Sequence, residues 1–310
     1  MSAAGPSRRG SGLGPILALV ILIAASLGVL KHLDRRAAGG ADLPGGRRAG
    51  AERRLPAGQA AREGGSGGSP ADRETGDWMP ADDAIHRVAI VIDDVGFEEG
   101  PALDLAKAGL PLTFAVLPFQ RYSQNLASRV KALGHEVILH LPMEPLAYPI
   151  RDPGQGAVGE GMSPATISEA VRRDLDAVPG AVGVNNHMGS RATADSRIMR
   201  AVLEVVRQRG LYFLDSRTST STVGFDLARR MGVRAVERSV FLDDRREASY
   251  IEGQVRELLR RAREEGSAVG IGHADPVTVG ALKRSSGLLR SADIRLVPAS
   301  ELAEDSRGSN

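Results

Sequence analysis

The amino-acid sequence predicts an α/β fold in which parallel strands alternate with helices, arranged either as a barrel or as a doubly wound sheet. Short runs of almost continuous Val, Ile and Leu recur along the chain, as expected for strands that are buried on both faces. Longer amphipathic stretches separate these runs, as expected for helices that cover a parallel sheet. Polar residues follow nearly all of the predicted strands, which indicates a ligand-binding face.

The length and composition limit the possible classes of protein. The chain has 310 residues, and a single α/β barrel needs roughly 200–250, so there is room for one large domain but not for three. The formal net charge is only +2, and the sequence therefore predicts no nucleic-acid-binding surface. Cysteine is absent, which excludes disulfides, iron–sulfur clusters, cysteine-type zinc sites and a thiol nucleophile.

The N-terminal part of the chain contains an uncharged apolar run over residues 13–30, after a short tail over residues 1–12. As a helix this run would extend about 27 Å, close to the roughly 30 Å hydrocarbon thickness of a bilayer. A cleaved signal peptide and a retained signal-anchor are both open interpretations. Small residues such as Ala24, Ala25 and Ser26 lie inside the run and not after it, which favours a transmembrane signal-anchor.

The next segment, residues 31–84, is rich in Gly, Ala, Arg and Pro and has no hydrophobic periodicity. It contains too few large apolar side chains to offset the entropy that folding would cost. We therefore predict a flexible, disordered linker here, followed by a folded domain over residues 85–304 and a C-terminal tail over residues 305–310.

The folded domain is predicted to alternate strands with helices along its whole length. The predicted strands are residues 88–92, 112–117, 136–141, 182–186, 211–214, 240–242, 268–271 and 294–297. The predicted helices are residues 100–108, 123–133, 164–178, 196–209, 222–231, 248–265 and 277–289. Ser163 before Pro164 is typical of a helix start, and Gly109, Gly134 and Gly210 are at positions typical of helix ends.

Carboxylates and imidazoles follow the predicted strands: Asp93, Asp94, His140, His187, Asp215, Asp243 and His273. In an α/β barrel the C-terminal ends of the strands meet on one face, which carries the active site. Helix capping explains an aspartate at such a position well, but it explains three histidines poorly. The pattern therefore predicts a functional site on this face.

The residue types at these strand ends favour a metal site. Asp93 and Asp94 come where a buried strand turns, so both carboxylates can reach the same face, one to bind a metal and the other to act as a base or to orient it. Neutral imidazoles from His140 and His187 together with a carboxylate suit zinc, and such a set leaves a position open for water and substrate. His273 is predicted to donate a proton to a leaving group.

Six further polar residues are expected to contact substrate or to support the metal ligands: Glu144, Asn186, Arg191, Asp215, Arg217 and Asp243. Asp215 and Asp243 would orient His273 or hold substrate, and helix capping and salt bridging are the alternative roles for this group. His135 lies at the start of its predicted strand, at the opposite end of a barrel, and is predicted to be a surface or capping histidine.

Taken together, these segments resemble the divergent polysaccharide deacetylases, which are related to the NodB-type carbohydrate esterases. The matching segments, in chain order, are IDDVG (92–96), GHEVILHLPMEP (134–145), NNHMGS (185–190), FLDSRTS (213–219), FLDD (241–244) and IGHADP (271–276). The resemblance extends over about residues 88–304. Each segment alone is a weak signal, whereas their combination in this order is specific.

The resemblance implies a distorted, incomplete β/α barrel and a divalent metal, usually zinc, that activates water for attack on an acetamide carbonyl. It implies that Asp93 is the base, that Asp94 and His140 are metal ligands and that His273 is the general acid. One position departs from the pattern. The superfamily's usual second metal histidine lies four residues after the first, where this chain has Glu144, and His187 is the candidate replacement.

Three hypotheses about function follow. The first is a metal-dependent deacetylase, or related amide hydrolase, that acts on an N-acetylated envelope polysaccharide and is held by its anchor with the folded domain on the periplasmic side of the membrane. The second is a catalytically inactive carbohydrate-binding or envelope-assembly factor that keeps the barrel, and the third is a hydrolase of another ester or amide. Asp93 and His273 together favour the first, because a binding module needs neither a base nor an acid.

Overall fold

The computed structural model describes residues 85–303, which form a curled, all-parallel sheet covered by helices. The strands are β1 His86–Val95, β2 Thr113–Val116, β3 Glu136–Met143, β4 Gly183–Met188, β5 Tyr212–Asp215, β6 Ala235–Glu237, β7 Val240–Phe241, β8 Ser267–His273 and β9 Ile294–Leu296. The helices are α1 Gly100–Ala106, α2 Ser123–Ala132, α3 Pro164–Asp176, α4 Ser196–Gln208, α5 Gly224–Arg230, α6 Ala248–Glu265, α7 Pro276–Arg284 and α8 Ser286–Leu289.

The sheet curls into a half-barrel. Its strand order is β6-β5-β4-β3-β2-β1-β8-β7, and β9 pairs with the beginning of β1. β6 pairs with β5, and after two residues the chain continues as β7, which pairs with β8. The short segment from β6 to β7 thus joins the two edges of the sheet. The fold therefore matches the predicted distorted β/α barrel and not a doubly wound sheet.

The predicted tails, the transmembrane segment over residues 13–30 and the linker over residues 31–84 lie outside the described residues. None of the helices within residues 85–303 combines the length and the apolar character needed to cross a bilayer.

The predicted strands and helices are present, with two differences. The strand β6 was not predicted, and the last predicted helix is two helices, α7 and α8, that meet at Ser285. The residues around this break, Ser285, Ser286 and Gly287, have low helix propensity, and glycine costs the most of the three.

Two hydrophobic cores lie on the two faces of the sheet. The larger core, between the sheet and the helices, includes Ile90 and Ile92 of β1. The smaller core fills the interior of the half-barrel and includes Ala89 and Val91 of the same strand. The two cores receive alternate residues because successive side chains of a strand point to opposite faces.

This alternation decides which polar residues reach the interior. Three strands carry an interior apolar residue two positions before a polar one: Val91 before Asp93, Ile138 before His140, and Ile271 before His273. These polar side chains therefore lie above the interior core, at the C-terminal ends of the strands, which we call the mouth. Phe213 packs in the outer core, so Asp215, two residues later, faces the helices.

The opposite end of the half-barrel is covered by the C-terminal residues of the domain. Ala299 and Leu302 are buried in the interior core. The carboxylate of Glu136, at the start of β3, accepts hydrogen bonds from the Tyr212 hydroxyl at 2.8 Å and from the Ser300 backbone N–H at 3.2 Å. His135, just before β3, lies at this end too, with its Nε2 2.8 Å from the carbonyl oxygen at the end of α1.

Asp174 occupies a position on the apolar face of α3. It lies at helical spacing from Ile167, Ala170 and Val171, it is wholly buried, and neither of its carboxylate oxygens has a hydrogen-bond partner. Burial raises the pKa of Asp174 from 3.8 to about 7, although the guanidinium of Arg173 opposes this shift. The folded state therefore holds a proton on Asp174 over a pH range in which the unfolded chain has lost it.

We expect this proton to make the stability of the protein depend on pH. As the pH rises from about 4 to about 7, the free energy of unfolding should fall by at most about 1.4 kcal/mol per pH unit and then become level. Asp174→Asn should remove this contribution and be more stable than the wild type at pH 8. Urea unfolding of both proteins across this pH range gives the difference between their free energies of unfolding. The contributions of the other titrating groups are the same in both proteins and cancel in this difference. A difference that is independent of pH would contradict the assignment.

Candidate metal centre

A bulge at the end of β1 turns Asp94 toward the mouth. The pairing of β1 with β2 shifts register between Ile92 and Val95, and the backbone of Asp94 has a φ of 58°, in the left-handed region. Aspartate tolerates this conformation better than most residues do. The turn interrupts the strand alternation, and Asp93 and Asp94 consequently both lie at the mouth.

Asp94, His140 and His187 bring three potential metal ligands together, and we call them the Asp–His–His cluster. The Oδ1 atom of Asp94 lies 3.2 Å from His140 Nε2 and 2.9 Å from His187 Nδ1, and the two ring nitrogens are 3.2 Å apart. A tetrahedral zinc ion with ligand distances of about 2.0–2.2 Å separates its ligands by roughly 3.3–3.6 Å. Two edges of the observed triangle, at 3.2 Å, are close to the lower end of this range, and the third, at 2.9 Å, is shorter, so the three ligands would move apart by about half an ångström or less to hold zinc.

The surroundings of Asp94 fit a bound cation. Its Oδ1 atom is buried and has no assigned hydrogen bond within residues 85–303, although ring nitrogens of His140 and His187 lie 3.2 and 2.9 Å away. Burial raises the pKa of Asp94, but the imidazoles of His140 and His187 outweigh it and hold the pKa well below its ordinary value. The oxygen is therefore anionic and unshared, as a metal ligand must be.

Asn185 determines which nitrogen of His140 faces the cluster. Its Nδ2 donates hydrogen bonds to Asp93 Oδ1 at 2.9 Å and to Ser216 Oγ at 3.2 Å, so its Oδ1, 2.8 Å from His140 Nδ1, must be an acceptor. His140 then carries its proton on Nδ1, and Nε2 presents a lone pair to the cluster. This is the tautomer that a metal-ligating histidine needs, held by a hydrogen bond to the other ring nitrogen.

Asn185 is a site residue that the sequence reasoning missed. Its neighbour Asn186, which was predicted instead, accepts from the Ser216 backbone N–H at 2.9 Å and donates to the Met188 carbonyl at 2.8 Å and to the Thr218 hydroxyl at 3.2 Å. The signal that could have identified Asn185 is the strand alternation, because it lies two residues before His187 in β4 and must share its face.

We expect Asn185→Ala to weaken zinc binding by about 10–100-fold, the usual cost of removing a partner that orients a ligating histidine. Competition with a chelating dye measures the affinity. Asn125→Ala, at an exposed position on α2, is the matched control and should bind zinc as the wild type does. An unchanged affinity in Asn185→Ala would show that the amide does not hold His140.

Asp93 lies beside the cluster. It is buried, and its Oδ2 atom is 3.6 Å from His140 Nε2, while Oδ1 is occupied by Asn185. Burial raises the pKa of Asp93 above its ordinary value, although the nearby His140 and His273 oppose this shift. A buried carboxylate with one free oxygen and a raised pKa can accept a proton.

His273 ends β8, the strand next to β1, in register with Asp93, and it is held by Asp243. Its Nδ1 is 3.0 Å from Asp243 Oδ1, and the other carboxylate oxygen accepts from the His273 backbone N–H and the Thr278 hydroxyl, each at 2.7 Å. The Nε2 atom then faces the mouth, 3.8 Å from Asp94 Oδ2. Burial lowers the pKa of His273, but the hydrogen bond and charge of Asp243 outweigh it and raise the pKa to about 9.

Two cavities meet at these residues. One, of about 380 Å³, contains the Asp–His–His cluster together with Asp93, Asn186, His273 and Arg151. The other, of about 680 Å³, shares Asp94 and His273 with the first and extends to the opposite side of the mouth. The cluster is therefore accessible to a ligand from both sides.

Glu144 and Arg191, two of the expected supporting residues, contact each other outside the cluster. Arg191 Nε lies 3.2 Å from Glu144 Oε1, and the other oxygen of Glu144 accepts from the Glu160 backbone N–H at 2.7 Å. Arg191 also pairs with the Glu160 carboxylate at 3.0 Å. These contacts fix the loop between β3 and α3, residues 144–163, to the end of β4.

Asp215 and Arg217 are likewise engaged outside the cluster. Asp215 Oδ2 accepts from the Thr222 hydroxyl at 2.7 Å and from the Phe225 backbone N–H at 3.0 Å, which fixes the beginning of α5. Arg217 forms an ion pair with Glu237 of β6. Of the six expected supporting residues, the structure brings Asp243 into contact with His273 and Asn186 into the lining of the smaller cavity.

Comparison with known proteins identifies relatives of this domain. The sequence model of a family described as divergent polysaccharide deacetylase matches residues 90–303. An uncharacterized Haemophilus influenzae protein is 35% identical over 215 residues, which cover 69% of this chain and 75% of that protein. The uncharacterized protein YibQ of Escherichia coli is 36% identical over 220 residues, which cover 71% of this chain and 68% of YibQ.

A solved structure is similar as well. The crystal structure of an uncharacterized Agrobacterium tumefaciens protein superposes with a TM-score of 0.68 and 25% sequence identity. The superposition covers 73% of this chain and 91% of that chain. The matched parts of the sequence include the Asp–His–His cluster, Asp93 and His273, all of which lie within residues 90–303.

Proposed function

This chain belongs to the divergent polysaccharide deacetylase family, and from that premise we propose that it is a metal-dependent hydrolase that removes acetyl groups from an N-acetylated envelope polysaccharide or glycan. The observation that carries the proposal is the Asp–His–His cluster with two further groups beside it: a carboxylate oxygen of Asp93, 3.6 Å from His140 Nε2, and the Nε2 of His273, 3.8 Å from Asp94 Oδ2. Amide hydrolysis needs a proton acceptor for the attacking water and a proton donor for the departing nitrogen.

A divalent cation would be held by Asp94 Oδ1, His140 Nε2 and His187 Nδ1. Zinc fits this set best, because two imidazoles and one carboxylate with a fourth position open are typical ligands of catalytic zinc. When bound, the cation would supply Lewis-acid chemistry, polarising the amide carbonyl and lowering the pKa of water.

Asp93 serves as the base in this proposal. Its Oδ1 is fixed by the Asn185 amide, which leaves Oδ2 to take a proton from the water that attacks the carbonyl carbon. The amide of Asn185 thus contacts both the base and the ring of His140, and it fixes the position of one relative to the other.

His273 serves as the acid. Because its Nδ1 is bound to Asp243, its Nε2 is the nitrogen that faces the mouth and donates a proton to the departing amine. As the bond from carbon to the water oxygen forms and the bond from carbon to nitrogen breaks, Asp93 gains one proton and His273 loses one. The products are acetate and a free amine on the sugar.

We further propose that residues 13–30 anchor the chain in a membrane and that the folded domain acts on the periplasmic side. The uncharged apolar run of these residues and the envelope glycan proposed as substrate both support this location. Membrane fractionation, followed by protease treatment of intact and opened cells, tests it. Recovery of the full-length protein in the soluble fraction would exclude the anchor.

Acetate release tests the proposed activity. Zinc-loaded full-length protein is incubated with N-acetylglucosamine oligomers and with isolated envelope polysaccharides, and acetate is quantified. We expect release that a chelator abolishes and added zinc restores. Binding of these glycans without any acetate release would favour a carbohydrate-binding or envelope-assembly factor instead.

A further inference from the structure

We propose that the substrate carries an anionic group close to the acetamide that is hydrolysed, and that Arg151 binds this group. The inference rests on the proposed function and adds to it the charge of the substrate. One arginine lies at the mouth without a partner among residues 85–303, and the two cavities differ in charge.

Arg151 lines the smaller cavity together with the Asp–His–His cluster. It belongs to the loop between β3 and α3, which is fixed to the end of β4: the Leu146 backbone N–H donates to Ser190 Oγ at 3.0 Å, and Arg191 Nη2 donates to the Leu146 carbonyl at 3.4 Å. The N–H of Arg151 itself donates to the Ala147 carbonyl at 3.0 Å. These hydrogen bonds hold the backbone that places Arg151 at the mouth.

Arg151 also differs from other arginines near the mouth in its electrostatic surroundings. Three of those arginines are paired with carboxylates: Arg191 with Glu144 and Glu160, Arg217 with Glu237, and Arg246 with Asp275. The side chain of Arg151 is exposed, and within residues 85–303 no ion pair or hydrogen bond engages its guanidinium. Asp152, the next residue, accepts from the Gly154 N–H instead.

An exposed guanidinium at a ligand cavity is suited to a carboxylate or a phosphate, because its planar fork can donate two parallel hydrogen bonds to either. A neutral sugar offers no partner of this kind. An uncharged glycan could offer this cation only neutral hydrogen-bond acceptors, whereas an acidic glycan would form a stronger, charge-assisted pair and so gain affinity and orientation.

The larger cavity is the more acidic of the two. It is lined by Glu98, Asp244 and Asp275 in addition to the shared Asp94, and its one arginine, Arg246, is paired with Asp275. An anionic substituent would be repelled from this side and attracted to Arg151 on the other. The two cavities together thus favour one direction of binding, with the anion on the Arg151 side of the hydrolysed acetamide.

The experiment compares three N-acetylated oligosaccharides of equal length, one neutral, one with a carboxylate and one with a phosphate monoester. Acetate release by zinc-loaded full-length protein gives KM and kcat for each. We expect the wild type to have a KM at least about 10-fold lower for one or both anionic substrates, the size of effect given by a charged hydrogen-bonded pair. Whichever anionic substrate has the lower KM, the carboxylate or the phosphate, identifies the group that Arg151 binds.

Arg151→Gln should raise this KM about 10-fold with kcat unchanged and leave the neutral substrate unaffected, because it removes a charge-assisted contact and not a catalytic group. Arg151→Lys, which keeps the charge, should recover part of the loss. Arg172→Gln, at an exposed position on α3 where the guanidinium donates to the Gln208 amide oxygen at 3.0 Å, is the control and should behave as the wild type does.

Equal KM values for the neutral and anionic substrates, or no change in Arg151→Gln, would overturn the inference and leave the proposed function standing. If the wild type hydrolyses none of the three, the proposed function fails, and calorimetric titration with the same oligosaccharides decides the role of Arg151. A preference for the anionic compounds that Arg151→Gln loses would uphold the anion site. Equal binding by both proteins would refute it.

Discussion

Replacing Asp94 with asparagine is expected to lower kcat/KM for acetate release by at least about 10³-fold, because the substitution removes the one anionic ligand of the cluster and with it several kcal/mol of Lewis-acid stabilisation. Asparagine keeps the size of the side chain, so the left-handed turn at this position is retained. Zinc bound to the purified variant should fall together with the activity. Both are measured on the same preparation, by acetate assay and elemental analysis.

Asp104→Asn is the matched control for this variant. It makes the same change at an exposed position of α1, away from the mouth, and should leave activity and zinc content as in the wild type. Full activity of Asp94→Asn with undiminished zinc would show that this carboxylate is not a ligand.

The second large effect is expected at Asp93, and it separates the base from the ligands. Asp93→Asn should lower kcat by about 10²–10⁴-fold, the usual contribution of a general base, while zinc remains bound. The expected separation of activity from metal content follows from the geometry, since Asp93 lies beside the cluster and not within it. Acetate release and zinc content are measured at a pH where the wild type is fully active.

A loss of zinc in Asp93→Asn would contradict the assignment, because it would make this carboxylate a fourth ligand. A loss of folding is recognised separately, by comparing the circular dichroism and thermal unfolding of the variant with those of the wild type. Asp93 is buried, so this comparison is needed before the kinetics are interpreted.

Most of the half-barrel could be predicted from the sequence, because its strands are buried on both faces and appear as continuous apolar runs, such as residues 88–92. The strand β6 could not be predicted in this way. Ala235–Glu237 has three residues and one large apolar side chain, too few for a hydrophobic pattern that would indicate a strand. Its pairing with β5 depends on where the folded chain passes between the two edges of the sheet.

The candidate site could be predicted in its residue types but only partly in its contacts. Asp215 and Asp243 are each the last residue of the same three-letter segment, FLD, at or just after the end of a strand. Phe213 packs in the outer core, so Asp215 faces the helices, whereas Phe241 packs against the interior core, so Asp243 faces His273. The segment is identical in the two places, and only the direction in which each strand faces separates a capping residue from one that holds a proposed acid.

The position of Glu144 shows a similar limit. Spacing along the chain places it where related enzymes are expected to have a second metal histidine, four residues after His140. In the structure its carboxylate contacts Arg191 and the Glu160 backbone, and the ring that joins His140 and Asp94 is that of His187, from the neighbouring strand. Pairing between β3 and β4, which sequence spacing does not show, brings this ring to the cluster.

The most direct test of the account is the zinc content of three full-length proteins after zinc loading and removal of excess metal: the wild type, His187→Ala and Glu144→Gln. The account predicts about one zinc per chain in the wild type and in Glu144→Gln, and little in His187→Ala, because three protein ligands hold a catalytic zinc and Glu144 is not among them. Zinc retained in His187→Ala and lost in Glu144→Gln would contradict the cluster. A wild type that takes up no zinc would contradict the metal-dependent mechanism altogether.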